Sequence, residues 1–391
     1  MESKGSLSAA DRTNIKIVKM KKLSITPPST AKLGKKNHNN YIAIAKAICI
    51  ICVVLLHARA PMPIRIFVTF FSVPLFFFTS GYFYKSSFSI NDLRTFYIKR
   101  IKGLYLPFIK WSLLFLLLHN ICFHFNLYNS VYGYKGQTSV MYSWTDIIKK
   151  AFNIIFRLSD NEQLLGAFWF IRVLFITALM VGTADLIFRK FKYRNKWLIF
   201  CTVILLSYVA IKYNINFPWV GSIGLIFYAA GYYIMGYIYH RIESSKYYTA
   251  KNLLLMFAIT LMGLFRFDYV VGMNIVKDNE FLTYTIVSIT GIIFIVILSK
   301  YMEKSYIKRF LFYVGNNTMI ILALHFTCFK LVSLVKIAIY NYPIERLAEF
   351  PIIEDGKPFW WLAYTVCGVF IPLIIQSIFE KVKVYCQSIK L

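Results

Sequence analysis

Ten apolar runs alternate with polar connections from residue 41 to residue 380. A helix that crosses a bilayer needs about 20 mostly apolar residues, with a range near 17–25. The runs are Tyr41–Ala60, Pro63–Tyr84, Leu104–Phe125, Ala167–Phe188, Trp197–Tyr213, Trp219–His240, Asn252–Val271, Leu282–Tyr301, Gly315–Tyr340 and Phe359–Glu380. The fifth is short, and the third carries Lys110 and His119. The longest connection, Asn126–Gly166, contains a weakly amphipathic piece, Ser143–Arg157, that suits a helix lying on the membrane surface. No internal repeat and no second, soluble domain is visible. The pattern predicts an all-α, polytopic transmembrane bundle of about ten helices over residues 41–391.

Met1–Asn40 is polar and basic, with lysines at 16, 19, 21, 22, 32, 35 and 36. It lacks the apolar run of a secretory signal, so a flexible cytoplasmic tail is expected there.

Charge then orients the bundle. Alternate connections are rich in Lys and Arg. They hold Lys85, Arg94, Lys99, Arg100 and Lys102, then Arg189, Lys190, Lys192, Arg194 and Lys196, then Arg241, Lys246 and Lys251, then Lys300, Lys304, Lys308 and Arg309. The intervening connections carry a thin or mixed set, among them Arg59, Arg65, Lys135, Lys212, Lys277, Asp278, Glu280, Glu345, Glu354 and Asp355. Only an even number of spans keeps that alternation in step. The positive-inside rule therefore puts both termini in the cytoplasm.

Composition supports this reading. Hydrophobic residues make up 58% of the 391, against about 45–50% for soluble proteins. The net charge of +28 would suggest nucleic-acid binding in a soluble protein. Here the basic connections and anionic membrane lipids account for it, and no nucleic-acid partner is expected. Most of the seven cysteines lie within apolar runs. Cys49 and Cys52 form a CxxC on an apolar helix without a redox-fold context, and read as small buried hydrophobes. No spacing suggests a metal site.

Ionisable groups inside a membrane are costly, and so are functional candidates. Lys46 and His57 in the first run stand eleven residues apart. At ~100° per residue they face the same way, and at ~1.5 Å per residue they are roughly 16 Å apart along the axis. A cation low on a groove could hold a phosphate of a long, thin cofactor, and a histidine higher up could act as a general base. The plainer alternatives are a snorkelling Lys46 and an interfacial, hydrogen-bonded His57. Arg172, with Trp169 beside it near the outer end of the fourth run, should face a partner or a cavity. Its plainer reading is a structural ion pair, with Asp268 as one partner, and Trp169 as a belt residue. His325 in the ninth run could serve function or an interhelical hydrogen bond. His119 and His124 at the outer end of the third rank below these.

Several segments resemble the acyltransferase-3 family of membrane acyltransferases, which includes O-acetyltransferases of surface polysaccharides. NNYIAIAKAICIICVVLLHAR is similar to the family's first helix, with a basic residue, ten intervening residues and a histidine at Lys46 and His57. SVPLFFFTSGYFYK resembles its "plFFflSGy" segment, from Pro74 to Tyr82. IKRIKGLYLPF resembles its basic turn, at Arg100 and Pro107, and GAFWFIRVLF its "WFl..Lf" segment, at Trp169 and Phe170. GLIFYAAGYYIMG and VGNNTMIILALH resemble later segments. The likeness runs from about Asn39 to the end. Two positions depart: Ala43 stands where many members have an acid, and Gly103, beside Lys102, where many have a second arginine. The first leaves no acidic partner identified for Lys46 or His57.

The resemblance implies an O-acyltransferase, most often an acetyltransferase, in a bacterial cytoplasmic (inner) membrane. It implies acetyl-CoA or another acyl-CoA as donor substrate, with no permanently bound cofactor, and a hydroxyl of a cell-surface or lipid-linked glycan as acceptor. His57 is then the general base. Lys46, Arg100, Lys99 and Lys102 are candidates for the donor's phosphates, and Arg172, Trp169 and His325 for the substrate. The rival from another class is a transporter or flippase that exports such a glycan without acyl chemistry.

Overall fold

The computed structural model describes residues 40–388 apart from 88, 135–136, 160–161, 192–194 and 218–220. Residues 1–39 of the expected basic tail lie outside the described residues, as do Lys135, Lys192, Arg194 and Trp219.

All ten apolar runs are helical. In chain order the helices are α1 (Asn40–His57), α2 (Met62–Thr69), α3 (Pro74–Tyr82), α4 (Ile90–Arg100), α5 (Leu106–His124), α6 (Trp144–Arg157) and α7 (Trp169–Lys190). There follow α8 (Lys196–Lys212), α9 (Ile223–Ile242), α10 (Ala250–Arg266), α11 (Asp278–Met302), α12 (Lys308–Asn316), α13 (Thr318–Tyr340) and α14 (Trp360–Ser388). Two antiparallel pairs of two-residue strands, Gly133–Tyr134 with Gln137–Thr138 and Asn216–Phe217 with Gly221–Ser222, lie in connections.

Seven of these segments are long and apolar enough to cross a membrane: α1, α2 with α3, α4 with α5, α7, α11, α13 and α14. The other three predicted runs became α8 and α10, of 17 residues each, and α9, of 20. Tyrosines and glycines dilute the apolar character of α9, and most of its side chains are buried against protein.

The helix boundaries refine the sequence pattern. The second run is divided at Phe70–Val73, because Pro74 lacks the N–H that would continue the ladder and instead opens α3. The ninth divides at Asn317. The basic connection after the second run contains a helix of its own, α4, and the segment that resembles the family's basic turn is helical throughout. A capping box starts it: Ser89 Oγ accepts from Asp92 N–H, and the Asp92 carboxylate accepts from Ser89 N–H, both at 3.1 Å. A π-helical turn over Ile101–Tyr105 then joins α4 to α5. The same cap device at Ser143 and Asp146 begins α6, whose Trp144, Ile148, Phe152 and Phe156 form an exposed apolar stripe at four-residue spacing. The amphipathic helix expected there is therefore present.

Helix α1 is the axis of the bundle. Apart from Lys46 and His57 it carries no ionisable side chain except Tyr41 and two thiols, and a helix apolar all round belongs in a core. Ile44, Ala47, Ile50 and Val54 join one buried cluster with α5, α12, α13 and α14. Ile42, Ala45 and Cys49 join a second with α3, α9 and α11. The small residues on α1 permit close approach: a Cβ on Gly315 of α12 would come within 1.9 Å of the Ala43 carbonyl oxygen. Ala43, the position where the family often has an acid, is thus committed to packing.

The FFFTSGY segment owes its pattern to the same physics. A Cβ at Gly81 would stand 1.7 Å from the Tyr233 carbonyl oxygen, and one at Gly236 would stand 1.9 Å from that of Phe78. Helices α3 and α9 therefore touch backbone to backbone through two reciprocal glycines. At the N-terminal end of α1 the Tyr41 and Tyr82 hydroxyls donate to Glu243 at 2.5 and 2.9 Å. Lys300 lies 3.8 Å over the Tyr41 ring. These contacts tie α1, α3, α9 and α11 together at one end.

Candidate active site

His57 is the last residue of α1, and the backbone fixes it there. Ala60 N–H bonds to the Leu55 carbonyl and Arg59 N–H to that of Leu56, with Arg59 at φ 57°, which is the Schellman closure of a helix. The chain turns away directly after the histidine. Neighbouring Val53, Val54, Ala58 and Ala60 are buried, while His57 keeps part of its surface accessible.

His325 of α13 is brought to it. The two ring centroids are 5.5 Å apart with planes tilted by 33°. The Phe326 ring stands edge-on to His57 at 4.8 Å. His325 is fully buried. Its Nδ1 lies 3.0 Å from the carbonyl oxygens of both Ile321 and Leu322. Its Nε2 is buried with no hydrogen-bond partner among the described residues. Spacing alone did not link these histidines, which are 268 positions apart by number (325 − 57).

The site is deep rather than at the rim. α13 continues for fifteen residues beyond His325, roughly 22 Å of helix. Two connections fold down over that height. Phe350, from the segment between α13 and α14, packs on Phe326 with centroids 4.6 Å apart. It also faces Gly166, whose added Cβ would meet its ring at 3.4 Å. Lys330 donates to the Glu349 carbonyl at 2.6 Å. Lys336 donates to Asp355 at 2.6 Å and to the Ile353 carbonyl at 3.1 Å. Arg59 pairs with Glu354 at 2.7 Å. Partial burial pushes the Asp355 carboxyl up, but hydrogen bonds from Lys336, Tyr342 and the Lys357 N–H outweigh it and hold the group below the usual carboxylate range. The Asn126–Gly166 connection is pinned as well. His119 meets Glu162 at 2.7 Å and the Val140 carbonyl at 2.9 Å, and its ring stacks on Tyr142 at 3.5 Å. Asn120 exchanges two hydrogen bonds with the Tyr142 backbone.

Residue spacing does not predict this roof. Only part of its signal lies in the residue types: Lys330 and Lys336 are cations inside an apolar run and Asp355 follows in the next connection, whereas the Glu349 and Ile353 carbonyls carry none. Nor does spacing give His119, ranked low, a partner.

The remaining candidates occupy other places. Lys46 is half-buried on α1, on the His57 face and about 16 Å along the axis, since α1 is continuous between them. It makes no hydrogen bond or ion pair with another described residue. Arg100 ends α4 at the π-helical turn, donates to the Tyr233 hydroxyl at 3.2 Å and lies 4.9 Å from the Phe96 centroid. Lys99 and Lys102 flank it and are exposed. Arg172, in the first turn of α7, is half-buried with Nη2 3.7 Å from the Cβ position of Gly221. Trp169 packs with the cluster of α3, α9 and α11, and Phe170 stands 5.4 and 5.2 Å from Phe76 and Phe77. Among the described residues no group of three His, Cys, Asp or Glu could hold a metal ion, and the described cysteines are free thiols.

A bundle of apolar helices around an inward-facing histidine site defines a multi-pass integral membrane protein. A family model described as an acyltransferase domain, acyltransferase 3, matches residues 39–377, and the chain belongs to that family. It is a membrane acyltransferase. Neither the curated proteins nor the solved structures contain a significant match.

Proposed function

We propose that the protein transfers an acyl group, most simply acetyl, from acyl-CoA to a hydroxyl of a cell-surface or lipid-linked glycan in a bacterial inner membrane. The observation that carries the reading is the placement of Lys46 and His57 on one face of the continuous central helix, with His57 beside His325 inside the bundle. In this reading Lys46, Arg100, Lys99 and Lys102 hold phosphates of the donor from the cytoplasmic side, a task that suits charge-assisted hydrogen bonds. The pantetheine arm then runs along α1 toward His57. That direction follows from the charge alternation of the connections, which the positive-inside rule reads as ten spans with both termini inside.

His57 takes the proton of the acceptor hydroxyl as its oxygen attacks the thioester carbonyl. The new C–O bond forms, the C–S bond breaks, and the same proton passes from His57 to the departing sulfur. Arg172 and Trp169 serve the acceptor side. Acyltransferase membership favours this chemistry over glycan export alone. The test is mass spectrometry of surface glycan from cells with and without the protein. Added mass of an acyl group in its presence supports the reading. Loss of glycan export with unchanged glycan chemistry opposes it.

A further inference from the structure

An imidazole that accepts a proton through one nitrogen carries an N–H on the other, and an acceptor for that N–H sets its tautomer and orientation. In many sites the acceptor is a carboxylate. Among the described residues no carboxylate is hydrogen-bonded to His57. Glu354, the acid tied to the end of α1, is taken by Arg59, and Ala43 is occupied by packing against α12.

What stands beside His57 is His325. Carbonyl oxygens only accept, so the two carbonyls at 3.0 Å require the hydrogen on Nδ1. The neutral ring then offers Nε2 as an acceptor and nothing else. That atom is buried without a donor among the described residues, an arrangement that is unfavourable unless a donor arrives. His57 supplies a nearby N–H, and it is the ring with room to turn: it keeps accessible surface while His325 has none.

We infer that His325 is a positioning residue that accepts the N–H of His57 at Nε2 and holds His57 in the tautomer that presents its other nitrogen to the acceptor hydroxyl. The Ile321 and Leu322 carbonyls stand behind His325 as a carboxylate would stand behind a histidine. No proton is gained or lost by His325: the acceptor's proton goes to His57 and on to sulfur. The inference rests on the reading of His57 as the base. The charged groups around the pair are Arg59 with its partner Glu354 after α1, and Lys330, bonded to the Glu349 carbonyl, further along α13.

The experiment uses the full chain in nanodiscs with acetyl-CoA as donor and methyl glycosides as acceptors. His325→Leu should lower kcat about a hundredfold, leave KM for both substrates nearly unchanged, and shift the pH–rate limb of the base. His325→Gln, whose amide oxygen can reach the Nε2 position, should restore most of kcat. A His325→Leu variant with the native kcat and pH profile overturns the inference, as does a loss confined to the acceptor KM, which would make His325 a substrate ligand. His57→Ala is measured alongside: full activity there removes the base assignment itself, whereas an inactive His57→Ala with an unaffected His325→Leu removes only the positioning role. A nitrogen-labelled histidine spectrum of the native protein decides the matter independently of variant folding. A single His57 tautomer with its N–H hydrogen-bonded to His325 supports the inference, and an even tautomer mixture overturns it.

Discussion

His57 and His325 sit with ring centroids 5.5 Å apart, one closing the central helix and the other fully buried on α13. The pairing changes what the first helix can do. A lone histidine at a helix end would be an interfacial side chain. A histidine set against a second, fully buried histidine, with Phe326 edge-on to it and Phe350 packed on Phe326, is placed inside the bundle.

The contact between α3 and α9 should tolerate no side chain. Gly81→Ala places a methyl group 1.7 Å from the Tyr233 carbonyl oxygen, where backbone has to move. Overpacking of a core costs roughly 1–3 kcal/mol when side chains can adjust, and more when they cannot. The expected result is loss of folded protein, read as the monodisperse peak in detergent size-exclusion chromatography. Gly103→Ala, where an added Cβ meets nothing within 4 Å, is the matched control and should fold normally.

The roof should loosen in acid. The folded-state carboxyl of Asp355 is held below its ordinary value of 3.8, so its contribution is present above that value and is lost as pH falls through the lower folded one. Proteolysis between α13 and α14 should therefore accelerate only in strongly acidic solution. Lys336→Met removes the cation from Asp355, leaves it only the Tyr342 hydroxyl and the Lys357 N–H, and should cost roughly 1.5–3 kcal/mol. It should expose the same segment to protease at neutral pH. Equal protection in native and variant proteins would contradict this account of the roof.

Lys46 should act on donor binding rather than on chemistry. Removing a charged hydrogen-bond donor typically costs about 1.5–3 kcal/mol, so Lys46→Met should raise KM for acetyl-CoA about ten- to a hundredfold with little change in kcat. Lys46→Arg should retain most of the affinity. An unchanged KM in Lys46→Met would assign the lysine to snorkelling.

Orientation is open to direct test. The proposed ten-span arrangement, with both ends inside, predicts that a reporter fused after the last residue reports the cytoplasm. A reporter on the outer side would overturn the proposed direction from Lys46 to His57.

Much of the fold was legible because lipid imposes one strong rule, namely that spanning segments are apolar and helical. All ten runs emerged as helices, and α6 followed from its amphipathic spacing. Local rules were harder to read over the apolar signal. Pro74 divided the second run, and Ser89 with Asp92 capped a helix within a stretch whose charges marked it only as a connection. Of the site, Lys46 and His57 were visible because 3.6-residue periodicity relates positions on one helix. The approach of His325 was not, because it depends on how α12 and α13 pack on α1, which Gly315 and Ala43 decide through backbone contact. The ties from Lys330 and Lys336 to the roof were hidden for a similar reason: two of the three acceptors are backbone carbonyls, which carry no sequence signal.

The most direct measurement replaces His57 by Ala in protein shown to insert normally, and follows acyl transfer from acetyl-CoA to glycan. The account predicts a loss of about 10²–10⁴-fold in rate, the usual contribution of a general base, with the helix bundle intact. Transfer at the native rate in that variant would contradict it.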